Sequence, residues 1–236
     1  MIGISTFCLS ETPLDAALSQ LLEITGRIEI MDEGLHRLTG PDLIASYPAH
    51  YTVHAPFHGL NIATVLEPVR RASVEVLTGC LAVAGEIGAP VVIHPGYFAW
   101  ANERELALRQ FRQSCDDLAA AAREYSAEFS FENMAGTNFF LLRTPDDLER
   151  AGGPGLTLDV GHAHLNGCLP QFLSGPFCHL HLHDNNGKTD SHSPVGNGTI
   201  DFVPVLAAMK EKNATAVVEV STFDGAVKSL RALERM

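Results

Sequence analysis

The sequence predicts an α/β protein that folds as a single, compact (β/α)8 barrel of the TIM-barrel type, and two observations lead to that prediction. Short β-branched and apolar runs occur eight times in the 236 residues, an average of about 29.5 residues apart. Most runs are apolar throughout and bounded by Gly or Pro, as expected for strands buried on both faces of a parallel sheet. Helical patterns lie between the runs, and this alternation is typical of parallel βα units. We therefore expect one barrel domain over residues 1–236.

The predicted strands and helices alternate along the chain. The strands cover residues 2–6, 27–31, 51–54, 90–94, 128–132, 155–159, 178–183 and 216–220. The clearest helices cover residues 13–24, 62–87, 103–125, 202–212 and 225–234. Thr12 before Pro13 predicts a capped helix start, and Gly88, Gly152 and Gly153 predict helix ends. An open doubly wound sheet is the competing fold, but it usually has a glycine-rich first turn, which this chain lacks.

Composition and charge exclude several classes of protein. The chain is 46% hydrophobic and 19% charged, which is typical of a globular domain and not of a disordered chain. No run of about 18 apolar residues lacks a charge or a break, so we expect no membrane span. The net charge of −12 does not favour a dominant electrostatic grip on nucleic acid, although it allows a local basic patch. Five scattered cysteines without a CxxC pair, and an amino terminus without signal-peptide features, predict a cytoplasmic protein.

Six successive predicted strands, the third to the eighth, end in a histidine or an acidic residue. In chain order these strand-end residues are His54, His94, Glu132, Asp159, His181 and Glu219, with His162 just beyond the sixth strand. The carboxyl ends of barrel strands meet at one mouth, where the active sites of such barrels lie. We therefore expect side chains that are 22 to 40 residues apart in sequence to converge on one site.

The three acidic strand ends predict a bound cation. Glu132, Asp159 and Glu219 follow apolar runs, and burying unpaired carboxylates together costs several kcal/mol and adds mutual repulsion. None of the six strand ends carries Lys or Arg, so protons or a metal must balance the charge, and the interleaved imidazoles favour the metal. Each residue taken alone has a simpler interpretation: a lone histidine is more often structural, Asp159 can cap a helix, and Glu219 can be an ordinary mouth residue. The joint pattern favours the metal site.

The remaining histidines fall into two predicted groups. The structural or surface group contains His36, His50 and His179. The group that would orient a metal ligand by hydrogen bonding contains His58, His164 and His183.

The motifs around these residues resemble the xylose-isomerase-like TIM barrels, a superfamily that holds sugar isomerases and epimerases beside the endonuclease IV class of DNA-repair enzymes. The resemblance covers nearly the whole chain. It is most specific in HAPF at 54–57, HPG at 94–96, FENMAG at 131–136, LDVGHAH at 158–164, the segment 181–202 and VVEVS at 217–221. The chain departs from the family where the loop commonly reads G-E-G and Asn197 replaces the acidic residue, which affects a loop contact and not the ligands.

The resemblance implies a set of ligands for divalent metal. The sugar isomerases and epimerases share a four-ligand site, which corresponds to Glu132, Asp159, His181 and Glu219. The endonuclease IV class holds three zinc ions with five further ligands, which correspond to His54, His94, His162, Asp190 and His192. In that pattern Glu132 bridges two of the sites. All nine positions match, and we expect one to three ions of zinc or manganese.

A metal-dependent isomerase or epimerase of a small sugar or sugar phosphate is the predicted function. The metal would polarise a carbonyl, and Glu132 and Glu219 would be the catalytic pair that moves the proton of the adjacent C–H. Aromatic residues near the mouth are expected to pack on the sugar, although loop packing explains them equally well. The aromatic candidates are Phe57, Tyr97 and Trp100, with Phe98 and Phe139 beside them. Lys188 is a candidate contact for a phosphate or hydroxyl, although a solvated loop lysine is the simpler interpretation.

The alternative function is an endonuclease IV-like zinc phosphodiesterase that acts on abasic DNA. Clustered ions would generate hydroxide and stabilise an in-line displacement. Such an enzyme must also grip several phosphates, yet most basic residues lie on predicted helices, and the upper loops at 31–34 and 97–103 are short and acidic or aromatic. We therefore expect nucleic acid as a partner only under this alternative. A non-catalytic metal- or sugar-binding protein is a third reading, and the oligomeric state stays open.

Overall fold

A closed barrel of eight parallel strands forms the centre of the computed structural model, which describes residues 2–151 and 155–236. The strands are β1 Ile2–Ser5, β2 Arg27–Met31, β3 His50–His54, β4 Val91–Ile93, β5 Phe129–Glu132, β6 Gly155–Asp159, β7 His179–Leu182 and β8 Thr215–Val218. Each strand pairs in parallel with the next, and β8 pairs with β1 to close the ring. The predicted (β/α)8 TIM barrel is confirmed.

Helices follow the strands along the chain. In the described residues they are α1 Leu14–Leu22, α2 Asp42–Ala45, α3 Glu67–Ile87, α4 Arg104–Tyr125, α5 Pro145–Ala151, α6 Val160–Leu165, α7 Leu169–Ser174, α8 Phe202–Glu211 and α9 Phe223–Leu233. Short 3-10 turns occupy Thr6–Leu9, Gly34–His36 and Ala101–Glu103. Within that part of the chain, no helix combines the length and the hydropathy that a membrane crossing requires.

The long predicted helices are present, and local chemistry sets where they begin and end. α3 begins at Glu67 and not at residue 62, because Pro68 in its first turn is favoured at a helix start. Gly88 ends α3 in the left-handed conformation at φ 65°, as predicted. The two glycines of the other predicted helix end, Gly152 and Gly153, lie outside the described residues.

The start of α1 differs from its prediction. α1 begins at Leu14, and Pro13 occupies the N-cap position without a side-chain cap, so the predicted cap by Thr12 is wrong. The helices α2, α5, α6 and α7 were also absent from the predicted set. They have four to seven residues each, which is too short for a helical periodicity to stand out.

The strands bury apolar residues on one face and polar residues on the other. Successive side chains of a strand point to opposite faces of the sheet. On the outer face of β5, Phe131 packs against Phe111 of α4 with ring centroids 4.8 Å apart. On the inner face, the hydroxyls of Ser130 and Thr157 lie 2.6 Å apart across β5 and β6. The barrel interior is therefore buried but polar, unlike the wholly apolar strands that the sequence pattern suggested.

A buried arginine joins the two longest helices. Arg70 of α3 is 2% exposed, and its guanidinium donates to Asp117 of α4 at 2.7 Å. It also donates to Glu67 at 2.8 Å and to the hydroxyl of Ser114 at 3.0 Å. With its charge balanced, the guanidinium fixes α3 against α4 beside the strands that carry the site.

Candidate metal centre

The nine predicted ligand residues converge at the carboxyl ends of the strands. They form overlapping groups, and within each group the candidate ligand atoms lie within 4.8 Å of one another. One group contains His54, His94 and Glu132, a second contains Asp159, His181 and Glu219, a third joins Glu132, Asp159 and His162, and a fourth contains His162, His183, Asp190 and His192. Residues from six strand ends thus lie close together at one end of the barrel, as the sequence pattern predicts.

Glu132 lies between two of these groups. It stands at the end of β5 and is 2% exposed. Its Oε2 lies 3.3 Å from Nε2 of His54 and 3.2 Å from Nε2 of His94. Its Oε1 lies 3.2 Å from Nδ1 of His162 and 3.6 Å from Nδ1 of His181. One carboxylate therefore presents an oxygen to each side, which suits a bridging ligand.

The second group surrounds one nitrogen of a buried histidine on β7. Nδ1 of His181 lies 3.2 Å from Oε2 of Glu219 and 3.9 Å from Oδ2 of Asp159. Asp159 also accepts a hydrogen bond from the backbone N–H of His162 at 2.6 Å and so caps α6. The helix-cap interpretation of Asp159 is confirmed, and the ligand interpretation stays a prediction that is compatible with it, because the second oxygen, Oδ2, faces His181.

The fourth group is built on the loop after β7. Nε2 of His162 lies 3.0 Å from Oδ2 of Asp190, and Nε2 of His192 lies 3.5 Å from the same oxygen. The ring of His183 stacks on that of His192 at 3.9 Å, and its Nε2 lies 3.1 Å from both oxygens of Asp159. His192 adopts a left-handed backbone at φ 41°, a strain that its ring offsets by bonding the carbonyl of Glu219 at 3.0 Å.

A second carboxylate organises that loop. Asp184, buried two residues beyond the end of β7, accepts backbone N–H bonds from Gly196 at 3.0 Å, Gly198 at 2.9 Å and Ile200 at 3.2 Å. A Cβ atom at Gly198 would overlap Oδ1 of Asp184, so only glycine fits there. Asn197, which replaces the family's usual Glu, is exposed between the two glycines, so the departure leaves this hydrogen-bonded turn intact.

The charges of the site shift the pKa values of its acids and histidines. Burial alone would raise the pKa of Glu219, but His181 and its neighbours lower it to about 2, and they lower the pKa of Glu132 well below its usual range. Burial would lower the pKa of His54, but Glu132 and other carboxylates raise it to about 9, and acidic neighbours raise that of His192 to about 9 as well. Without a metal, Glu132 and Glu219 are therefore ionised, and His54 and His192 carry protons that offset part of their charge.

Two of the buried atoms that lack a hydrogen-bond partner among the described residues belong to predicted ligands. They are Oε2 of Glu132 and Nδ1 of His181, and both face the ligand groups. An unpaired buried polar atom is costly unless another group binds it. Imidazole nitrogens and carboxylate oxygens are the ligands that zinc and similar divalent ions accept. The residues present therefore fit a divalent cation.

A cavity of about 430 Å³ opens beside the ligands. Phe57 and Tyr97 line it, and so do residues that the sequence pattern did not indicate, among them Phe7, Met31, Met134 and Phe140. None of the described residues that line it is Lys or Arg. The structure does not bring Trp100 or Lys188 to this cavity: Trp100 is 70% exposed, and Lys188 lies in an exposed loop. Phe98 and Phe139 pack edge to face on each other at 5.6 Å.

The remaining histidines have varied surroundings. His58 pairs with Glu33 and not with a ligand residue, and His164 contacts the hydroxyl of Thr199 at 2.9 Å. His36 is buried beside a backbone carbonyl, whereas His50 is exposed. Their roles are local.

Sequence reasoning missed one buried acid of this region. Glu29 lies in the middle of β2 with no exposed surface. Its carboxylate lies 3.1 Å from Nε2 of His181 and 3.2 Å from Nε2 of His179. The signal is an acidic residue inside the otherwise apolar run after Arg27, in the middle of a strand and not at its end.

The protein is a barrel with convergent candidate metal ligands at its mouth, and its relatives share that class of fold. The chain belongs to the xylose isomerase-like TIM barrel family, whose profile matches residues 42–236. An uncharacterized protein of Methanocaldococcus jannaschii is 33% identical over 236 residues, which cover 93% of this chain and 91% of that protein. The crystal structure of a D-tagatose 3-epimerase-like protein is 30% identical and has a TM-score of 0.92, with coverage of 99% of this chain and 96% of that chain. A probable endonuclease 4 of Mycobacterium leprae is 29% identical over 187 residues, or 72% of each chain.

Proposed function

We propose that the protein is a divalent-metal-dependent isomerase or epimerase of a small sugar or sugar phosphate. The observation that carries the proposal is a pair of buried carboxylates, Glu132 and Glu219, that approach the same nitrogen of His181 from strands three positions apart in the ring. The similarity to a D-tagatose 3-epimerase-like protein over nearly the whole chain supports it. The cavity volume also falls in the range of small-molecule sites, about 300–1,000 Å³.

The metal would be zinc or manganese, held by Glu132, Asp159, His181 and Glu219. Once bound, it would polarise the carbonyl and hydroxyl oxygens of the substrate. Glu132 and Glu219 have low pKa values, so each is ionised at neutral pH and able to accept a proton from a C–H next to the carbonyl. Because the two side chains come from different sides of the mouth, one can remove the proton, and the other can deliver a proton to the carbon after it has taken one up from solvent.

The walls of the cavity support a sugar as the substrate. Phe7, Phe57 and Phe140 give it apolar surfaces, on which the C–H face of a sugar can pack. The ligand residues and Asp190 give it polar atoms at one end. In this arrangement the apolar wall would shield the reacting carbon of the sugar from water. The polar, metal-binding floor would hold the hydroxyls of the sugar.

The test is exchange of a substrate C–H with solvent. Metal-loaded protein is incubated in D2O with a panel of free ketohexoses and their phosphates, and deuterium incorporation is followed by NMR. We expect incorporation at the carbon next to the carbonyl and its loss in Glu219→Gln, with the melting temperature retained. Glu124→Gln, an exposed change on α4, is the matched control and should keep wild-type exchange. Exchange that persists in Glu219→Gln removes Glu219 from the mechanism, and metal-bound wild type without exchange on any sugar contradicts the proposal.

A second candidate function is an endonuclease IV-like zinc phosphodiesterase. The observation that favours it is the complete nine-residue ligand set, including Asp190 and His192, together with the similarity to a probable endonuclease 4. The net charge of −12 and the lack of Lys or Arg among the described cavity residues weigh against a grip on DNA. Efficient incision of an abasic-site duplex by zinc-loaded protein at near-physiological salt would reverse our ranking.

A further inference from the structure

We propose that Glu29 is a positioning residue, which holds the proton of His181 on Nε2 and so leaves Nδ1 free to bind metal. The proposal rests on the proposed function only in that it takes His181 as a metal ligand. It adds a chain of groups, the half-buried Thr215 and the buried His179 and Glu29, that reaches from the start of β8 to that ligand.

The two nitrogens of His181 have different surroundings. Nε2 lies 3.1 Å from Oε1 and 3.3 Å from Oε2 of Glu29. Nδ1 faces the opposite way, 3.2 Å from Glu219 and 3.6 Å from Glu132, and has no hydrogen-bond partner in the described part of the chain. A neutral imidazole carries one N–H, and the carboxylate of Glu29 draws it to Nε2. The lone pair at Nδ1 then points to the group that binds metal.

The other side of Glu29 is fixed by a second histidine. Oε2 of Glu29 lies 3.2 Å from Nε2 of His179, and Nδ1 of His179 lies 2.6 Å from the hydroxyl of Thr215. His179 and His181 are two residues apart on β7 and point to the same face, toward the barrel interior. Thr215 is the register partner of His179 on β8. The position of Glu29 is therefore set from three strands.

The surroundings of Glu29 explain why a carboxylate occupies the centre of the barrel. It has no exposed surface, and none of its contacts in the described residues is to Lys or Arg. A buried acid without a Lys or Arg partner is unfavourable for folding, and an apolar side chain would fill this place more stably. A carboxylate behind a ligating histidine, in contrast, fixes the tautomer and ring orientation of that ligand and makes it a stronger donor to metal. Such a role requires the charge that folding alone disfavours.

The experiment compares zinc binding by metal-free protein and by variants, using competition with a chromophoric chelator and counting the ions bound. His181→Ala identifies the ion that depends on His181. For that same ion we expect Glu29→Gln to weaken affinity about 10- to 100-fold. Asp32→Asn removes another buried carboxylate, one residue beyond β2, and should stay within about two-fold of wild type. Zinc affinity in Glu29→Gln equal to that of wild type overturns the proposal.

A measurement on the wild type needs no variant to fold. NMR correlations between the ring nitrogens and carbon-bound protons of 15N-labelled histidine report which nitrogen of His181 carries the proton in zinc-loaded protein. We expect the proton on Nε2 and zinc on Nδ1, and the reverse assignment overturns the proposal. A protein that binds zinc in this way but turns over no sugar contradicts the proposed function and leaves the role of Glu29 intact. A wild type that binds no zinc overturns both.

Discussion

The protons held by the histidines of the site predict that zinc binds more tightly as the pH rises. The pKa of His54 is about 9 in the metal-free protein, and a ligating imidazole must be neutral, so zinc has to displace that proton. Below that pKa, lowering the pH by one unit weakens zinc binding about ten-fold, or by about 1.4 kcal/mol, for each proton that zinc must displace. From pH 6 to pH 8 we therefore expect the zinc affinity of the site at His54 to increase about 100-fold, or by about 2.7 kcal/mol. Glu219, with a pKa of about 2, is already ionised and releases no proton.

The same histidine gives the metal-free protein the opposite pH dependence. A pKa raised from 6.5 to about 9 contributes stability that is fully present below pH 6.5 and is lost as the pH rises through 9. Between those values, we expect the melting temperature of metal-free protein to fall as the pH rises. The increase in melting temperature that zinc causes should become larger over the same range.

The assay is calorimetric titration with zinc at pH 6, 7 and 8, each in two buffers of different ionisation enthalpy, so that the released protons are counted. The slope of the logarithm of zinc affinity against pH gives the number of protons released. In His54→Gln, this number should fall by one for the ion bound at that site. His50→Gln is the matched control, since His50 is exposed at the start of the same strand, and should leave the slope unchanged. Zinc affinity that is flat between pH 6 and pH 8 would refute the reasoning.

Two further predictions concern packing. Gly198→Ala forces a Cβ onto the carboxylate of Asp184, so we expect fewer zinc ions bound per chain by elemental analysis, whereas Gly79→Ala, which meets nothing within 4 Å, should bind the wild-type number. An unchanged ion count in Gly198→Ala would show that the turn does not hold the ligand loop. Phe111→Ala empties a fully buried position against β5, and we expect a loss of about 3–5 kcal/mol in urea unfolding, compared with under about 1 kcal/mol for the partly exposed Phe139→Ala. Equal losses in the two variants would contradict this packing argument.

The sequence predicted the strands and their ends because both leave a local signal. An apolar run followed by a polar residue marks the carboxyl end of a buried strand, and barrel closure then brings those ends together without any further information. His54, Glu132 and Glu219 could be assigned to one site for this reason. The ligands beyond the strand ends, Asp190 and His192, came from the resemblance to a family, since a loop position carries no periodicity.

The features that the sequence did not predict depend on tertiary contacts. The contact between Glu29 and His181 joins β2 and β7 across the barrel interior, and no local pattern in the sequence predicts it. Trp100 and Lys188 lie in loops, and the direction of a loop side chain is not fixed by the alternation that governs strands. Thr12 does not cap α1, because the next residue, Pro13, occupies the N-cap position.

The backbone pair between Asp184 and Ser193, with bonds of 2.8 and 2.9 Å, closes residues 185–192 into a lobe with a common stem. Two candidate ligands, Asp190 and His192, sit close to that stem, whereas residues 186–189 form an exposed tip. The tip can change in length or charge without moving the stem. Substitutions at these four residues can therefore change the exposed surface of the loop while the candidate ligands keep their positions.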